Sequence, residues 1–409
     1  MLKELTLNEF HEFANNHIIG NYYQSLKYAL LKVEEGFEYE IIGLIENNQI
    51  KAAALILTKK IGNYSYGYSP RGFLIDYKNL ELLQKFSLLL KKYYSNKNFA
   101  FIKINPEIAI AKLNQKTNKF EPNSNYTIID NLLKSGYEKL KDNLNFESLL
   151  PRFNAILNLS EFDLKKVNKN TRNKINKGIR KGLTLKKADK FGIDILYSLV
   201  QKKYPKKEFY FKDKFNIFNK DDSIDLFLVS IDSKQYLLNS QNKYHEELNT
   251  NNELNNLIST KFDSNLINKK MNSDRALTAY KNDITEATKL LNEEEIFIAG
   301  ALVIKYKNRI IFEVTGFDNL YSQFAPNYFL HYAILNYYQK DYQFANLNGV
   351  SGDFENETYK GLNRFKLGFN PDIYEYIGEF DLIIDQKAYE NLKKNGVLAK
   401  EFNKKSQNI

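Results

Sequence analysis

The 409-residue chain contains no cysteine and no tryptophan, only 7 prolines and only 4 histidines. Without cysteine there is no disulfide, no thiolate nucleophile and no Cys-ligated zinc or iron–sulfur cluster. His11, His17, His245 and His331 do not form ligand spacing, so no metal site is expected. His331 sits in an apolar helical stretch, where a structural role is the expected one. Long apolar runs are missing too. No stretch approaches the roughly 20 residues of a membrane span. Met1–Gly20 carries Glu4, Glu9 and Glu12 where a secretory signal needs an unbroken apolar core. The common phosphate-loop, dinucleotide and nucleophile-elbow patterns are absent. The expected location is the cytoplasm, with contact at an anionic membrane surface left open.

What is present is 43% hydrophobic residues, enough for packed cores, over a length that usually divides into two or more domains. The 59 Lys and Arg outnumber 49 Asp and Glu, a formal net charge of +10. Such a balance points to a polyanionic partner: nucleic acid, anionic lipid or a phosphorylated substrate.

The first hundred residues read as two helices, around Leu5–Phe13 and Gln24–Val33, then a β-β-β-α-β unit. Its strands are Tyr39–Glu46, Ile50–Lys60 and Tyr64–Tyr68, the first two joined by Asn47-Asn48. Apolar residues at 82, 83, 86, 89, 90 and 93 give Leu80–Tyr94 one helical face, and Phe99–Ile104 closes the unit as a short buried strand. The order returns late in the chain, with strands Ile296–Lys305 and Ile310–Gly316, helix Pro326–Gln339 and strand Phe344–Leu347. The expected organisation is an internal duplication of one α/β module. Between the copies, Lys206–Ala299 has no Gly or Pro. Narrow stripes run through Leu237, Tyr244, Leu248, Leu254 and Ile258, then Leu277, Tyr280, Ile284, Ala287 and Leu291. They suit two antiparallel helices packed on each other, an arm broken near Asn268–Asp274.

Lys165–Lys190 holds eleven Lys or Arg, with Asp189 its only acid. Val167, Ile175, Ile179 and Leu183 mark an apolar stripe, so its first part reads as an amphipathic helix. Like charges one turn apart repel. Leaving them unbalanced favours phosphate contacts, to tRNA or anionic membrane, through Lys169, Arg172, Lys174, Lys177, Arg180 and Lys181.

The duplicated module resembles acetyltransferase folds, yet neither copy has the R-x-x-G-x-[GA] loop that holds coenzyme A. That argues for another acyl donor. Further motifs are informative in combination: Tyr68-Ser69-Pro70-Arg71-Gly72, Leu150-Pro151-Arg152-Phe153-Asn154, and Lys169-Asn170-Thr171-Arg172-Asn173-Lys174-Ile175. Tyr359-Lys360-Gly361-Leu362, Phe365-Lys366 and Ile377-Gly378-Glu379-Phe380 follow in the C-terminal part. In this order, over about residues 20 to 385, they resemble the Fem family of peptidoglycan bridge-forming aminoacyltransferases.

The resemblance implies an α/β (α+β) fold of two tandem acetyltransferase-like subdomains, 1–150 and 151–233 with 296–385. It implies an inserted antiparallel coiled-coil arm, 234–295, and leaves 386–409 as a C-terminal helix or tail. It implies transfer of Gly, Ala or Ser from aminoacyl-tRNA to the stem-peptide amine of a peptidoglycan precursor, lipid II or UDP-MurNAc-pentapeptide, with no cofactor. By the same resemblance, Lys32, Lys206 and Tyr210 hold the precursor's pyrophosphate, and Phe365 and Lys366 stand at the acyl-transfer centre, Lys366 as an ammonium facing the oxyanion. Lys206 replaces a family Arg, keeping the charge but losing bidentate geometry. Asn105 and Asn346 replace two family aspartates, and Asn cannot serve as a carboxylate base. Two other readings stay open: the same fold with another acyl donor, and a non-catalytic relative that binds tRNA or anionic membrane.

Overall fold

The computed structural model describes residues 1–402 apart from Pro205, Phe262 and Glu294. The last seven residues of the expected 386–409 segment, and Pro205 beside Lys206, lie outside the described residues. Sixteen strands are described: β1 Leu2–Glu4, β2 Glu38–Glu46, β3 Gln49–Ile61, β4 Tyr64–Ser69, β5 Phe99–Ile104, β6 Ala109–Asn114, β7 Lys119–Pro122, β8 Tyr137–Lys139, β9 Phe153–Asn158, β10 Leu183–Ala188, β11 Ile224–Ile231, β12 Phe297–Tyr306, β13 Arg309–Phe317, β14 Phe344–Val350, β15 Asp372–Tyr376 and β16 Phe380–Ile383. They form two sheets, ordered β1-β2-β3-β4-β5-β16-β8 and β10-β11-β12-β13-β14-β9-β15-β6-β7.

Each sheet contains the same unit. In the first, β2, β3 and β4 are antiparallel, the helix Leu80–Ser95 crosses over, and β5 lies parallel to β4. In the second, β11, β12 and β13 are antiparallel, the helix Pro326–Tyr338 crosses over, and β14 lies parallel to β13. Two helices precede each unit: Leu7–Asn16 and Leu26–Val33 in one, Ile193–Val200 and Glu208–Asn219 in the other. The chain thus forms two acetyltransferase-like α/β modules in tandem, with an antiparallel helical arm in the second.

The arm's place follows from the equivalence. Where β2 and β3 are joined by Asn47-Asn48, both at positive φ as a tight two-residue hairpin requires, β11 and β12 are joined by the arm. Its helices span Ser233–Thr260 and Ser264–Leu290. The first arm helix ends at Thr260 and the second begins at Ser264, earlier than the expected break, and Asp263 caps the second by accepting from the Asn265 N–H at 2.8 Å. Few arm residues are buried. Asn251 and Ser273 are, and the Asn251 amide donates to Ser273 Oγ and Asp274 Oδ1, which fixes the pairing of the two helices.

The sheets do not divide at residue 150. β6 and β7, before that boundary, extend the second sheet, and β16, near the C-terminus, lies between β5 and β8 in the first. The core follows the same pattern. Between the sheets, Phe10, Tyr28 and Leu31 of the N-terminal helices pack with Leu196, Phe211 and Phe218 of the second module in one shared core. Outer cores cover the far faces, with Leu83, Phe86 and Leu90 on the first sheet and Ile175, Leu330 and Ile334 on the second. Among the described residues, no helix is long and apolar enough to cross a membrane.

Candidate active site

The parallel pairs differ between modules. β4 and β5 stay paired from Ser65 to Ser69. β13 and β14 pair only from Arg309–Phe344 to Ile311–Asn346 and then part. Beyond the split, a cleft of about 290 Å³ is lined by Phe312, Glu313 and Thr315 on one side and Leu347, Asn348 and Gly349 on the other. Its remaining wall includes Lys32, Tyr28, Lys203, Tyr210, His331 and Lys366.

Lys366 enters from the helix Glu357–Leu367 and is buried, its ammonium donating to the Gly349 carbonyl. That carbonyl is aimed by a local irregularity. Asn348 sits at φ 68°, its side chain accepts from the Gly349 N–H at 2.8 Å, and Asn346 Oδ1 accepts from the Asn348 N–H at 2.7 Å. A side chain at Gly349 would meet Pro151 Cβ at 2.6 Å, so close packing requires glycine. Burial first, and then the nearby Lys203 ammonium, pushes Lys366 down to about 7. The side chain that the resemblance sets as an ammonium beside the oxyanion is thus a group that titrates near neutrality.

Phe365 does not line the cleft. Consecutive helical residues point about 100° apart, so when Lys366 faces the cleft Phe365 turns away. It packs edge-on against Tyr328, at 4.9 Å between ring centroids, and against His331, at 4.8 Å. His331 is stacked on Phe312 at 4.6 Å and gives its Nδ1 proton to the Asn327 carbonyl. Burial pushes it down to about 3, so the ring is neutral.

At the cleft's mouth the two modules meet. Lys32, in the last turn of Leu26–Val33, lies 2.8 Å from Glu35 Oε1, and Lys206, from the second module, lies 2.8 Å from Glu35 Oε2. Lys206 also lies 4.9 Å from the Tyr210 ring centroid. Deeper in, Glu313 pairs with Lys214 and accepts from the Tyr22 hydroxyl at 2.7 Å. Burial alone would raise the Glu313 carboxyl, but Lys214 outweighs it and holds the group below its usual value. Sequence reasoning missed Glu35, Lys203 and Glu313. Only Glu35 had a local signal, its i,i+3 spacing from Lys32.

The basic cluster is less unbalanced than its sequence. It folds as a short turn at Leu164–Lys166, the helix Lys169–Arg180 and β10. Ile179 is 43% exposed, so the apolar stripe does not extend to it. Lys181 leaves the phosphate-binding set, because its buried ammonium donates to Tyr236 and Glu286 and lies 3.1 Å from Asp283, all three on the arm. Arg180 also leans to the arm, 4.0 Å from Asp283 and over Tyr280. Lys186 and Lys187 pair with Glu295 and Asp225. Lys169, Arg172, Lys174 and Lys177 remain on the outer side of the helix; Arg172 donates to the Lys165 carbonyl and Lys174 to the Tyr328 hydroxyl.

Asn105 and Asn346 are not in the cleft lining. Asn105 is buried, accepting from the Arg71 N–H at 2.8 Å and donating to Tyr68, while Asn346 shapes the turn before Gly349. Neither replacement removes a carboxylate from beside Lys366. Arg71 reaches instead to the Pro151 carbonyl at 2.7 Å, tying the first module's Pro-Arg-Gly turn to the cleft wall.

Comparison with known proteins agrees with this architecture. The aminoacyltransferase FemA of Staphylococcus epidermidis is 27% identical, with 94% of this chain and 96% of that protein covered. The lipid II:glycine glycyltransferase of the same species is 25% identical, with 95% and 94% covered. The crystal structure of FemX superimposes with a TM-score of 0.73 at 21% identity, covering 96% of this chain and all of that one, which shows a common fold. The model of the FemAB family matches residues 5–394, and the chain belongs to that family.

Proposed function

We propose that the chain is an aminoacyltransferase of peptidoglycan bridge synthesis. It moves an amino acid from aminoacyl-tRNA to the stem-peptide side-chain amine of a lipid- or nucleotide-linked precursor. The names of its relatives support the reaction class. The observation that carries the reading is the cleft itself, with paired cations at its mouth and a buried lysine that titrates near 7 on its wall. Lys32, Lys206 and Tyr210 would hold the precursor's diphosphate, and the stem peptide would reach toward Lys366.

A second cleft, of about 930 Å³, shares Lys203 and Thr315 with the first. It offers a separate approach for the charged end of the tRNA. The basic helix is close by: the Asn168 N–H donates to the Gly368 carbonyl, directly after the helix that carries Lys366. tRNA phosphates on Lys169, Arg172, Lys174 and Lys177 would bring the ester to the cleft. Anionic membrane is the other phosphate source for this face.

Chemistry needs one proton carried from the acceptor nitrogen to the leaving ribose oxygen. The neutral acceptor amine adds to the ester carbonyl, giving an ammonium nitrogen and an oxyanion. The Lys366 amine takes a proton from that nitrogen and, now an ammonium, lies beside the oxyanion. As the C–O bond breaks it gives the proton to the ribose oxygen, leaving an amide. A group near 7 suits both transfers.

The test is incubation of the protein with labelled Gly-, Ala- or Ser-tRNA and either precursor. Label appearing in the precursor supports the reading. Transfer only from an acyl-coenzyme A, or binding without transfer, overturns it.

A further inference from the structure

We propose that Glu35 is a specificity-determining residue of the cleft mouth: an internal anion that occupies Lys32 and Lys206 and yields them to two linked phosphoryl groups in preference to one. The inference rests on the reading of these lysines as the diphosphate site, and adds to it a residue that sets which anions are admitted.

The position of Glu35 is built into the backbone. The helix Leu26–Val33 ends in a turn in which the Glu35 and Phe37 N–H groups both donate to the Lys32 carbonyl, at 3.0 and 3.1 Å. Gly36, at φ 83°, supplies the left-handed residue that such a helix end requires. Lys32 and Glu35 are thereby fixed on one turn, and their side chains are 19% and 21% exposed. Lys206 comes from the other module and is 43% exposed. One carboxylate therefore spans two ammonium groups, one oxygen on each, across the module boundary. Burial would raise the Glu35 carboxyl, but Lys32 and Lys206 outweigh it and hold it below its usual value, so it is ionised at neutral pH.

The three groups sum to a single positive charge. An anion that binds beside Glu35 meets like-charge repulsion, and one that takes its place must break two ion pairs. A lone phosphate or carboxylate replaces Glu35 approximately one for one, against a competitor that is tethered and always present. Two linked phosphoryl groups give each ammonium its own anionic partner, so the exchange favours them. The structure thus holds a discriminator against orthophosphate and single-phosphate metabolites.

Titration calorimetry with inorganic pyrophosphate and with orthophosphate tests this on the full chain. Like-charge contacts at an interface oppose binding, less strongly when partly exposed. In Glu35→Gln, orthophosphate affinity is therefore expected to rise by about tenfold, pyrophosphate affinity to rise less, and the preference between them to narrow. Glu35→Ala, which removes both oxygens, must move in the same direction. Unchanged or weakened binding of both anions in both variants, with normal melting curves, would overturn the proposal and assign Glu35 to holding the lysines in place. Lys32→Met separates the two claims. If it loses pyrophosphate, the diphosphate reading stands whatever Glu35 does. If it binds as the parent does, or the parent binds neither anion, that reading fails and the inference with it.

Discussion

Lys103 and Asp381 are 278 residues apart in sequence, and their side chains meet at 2.8 Å inside the first sheet. Lys103 is on β5 and Asp381 on β16, with side chains 2% and 3% exposed. The second Asp381 oxygen accepts from Tyr389 at 2.8 Å, and the Lys103 ammonium lies 4.7 Å from the Phe402 ring centroid. Asp381→Asn leaves that ammonium without its counter-ion. The expected loss is about 3–5 kcal/mol, read from urea unfolding. Lys103→Met with Asp381→Leu should recover most of it, since two apolar groups leave no charge unpaired.

The two lysines of the cleft should fail differently. Lys366→Met is expected to keep precursor affinity within a few-fold and lower kcat on the order of 100-fold or more, because its contact is made in the transition state. Lys32→Met should do the reverse, raising KM for the precursor with kcat little changed. Steady-state kinetics on both variants decides. A normal kcat for Lys366→Met, with inactive Asn105 variants, would put the chemistry in the first module.

The pH dependence has a defined sign. Burial lowers Lys366 to about 7, so the free amine predominates above that value and the ammonium below it. If the amine accepts the first proton, kcat/KM rises with pH through about 7. The acceptor amine adds its own rise toward about 10.4. The break near 7 should vanish in Lys366→Met while the upper rise remains. A profile falling above 7 would instead mean that the ammonium is the active form.

On the basic helix, position decides the outcome. Arg172→Glu with Lys177→Glu should weaken tRNA binding and flatten its dependence on salt, with an unchanged melting temperature. Lys181→Met should lower the melting temperature, since it strands Asp283 and Glu286 beside Tyr236. Filter binding across a salt series, with thermal melts, separates them. Equal affinity for tRNA and for anionic vesicles in the double variant would leave this face as merely solvated.

Local pattern made much of the fold legible. Leu80–Ser95 shows its buried face as Leu83, Phe86, Leu90 and Tyr94, and β5 is an apolar run broken by Lys103. The arm was readable because its stripes are too narrow for a globular core. What local pattern does not carry is pairing at a distance. Nothing in Phe380–Ile383 says that it lies beside β5, and nothing in Lys165–Lys190 says that Asp283 and Glu286 answer Lys181. The cleft shows the same limit. Lys32, Lys206, Tyr210 and Lys366 are singled out by resemblance; Lys32, Tyr210 and Lys366 line one cleft and Lys206 joins Lys32 through Glu35, whereas no local pattern marks Glu313, whose partners Lys214 and Tyr22 come from distant segments.

The insertion of β16 between β5 and β8 sets an order for synthesis. A ribosome adds roughly 5–20 residues per second, so β5 emerges tens of seconds before the strand that will sit beside it. Through that interval its open edge can pair with any extended segment nearby, including the same strand of a neighbouring nascent chain. The first module, though made first, is finished last. Slowing translation late in the message should therefore raise the share of protein lost to aggregates, and a chaperone that covers strand edges should recover it.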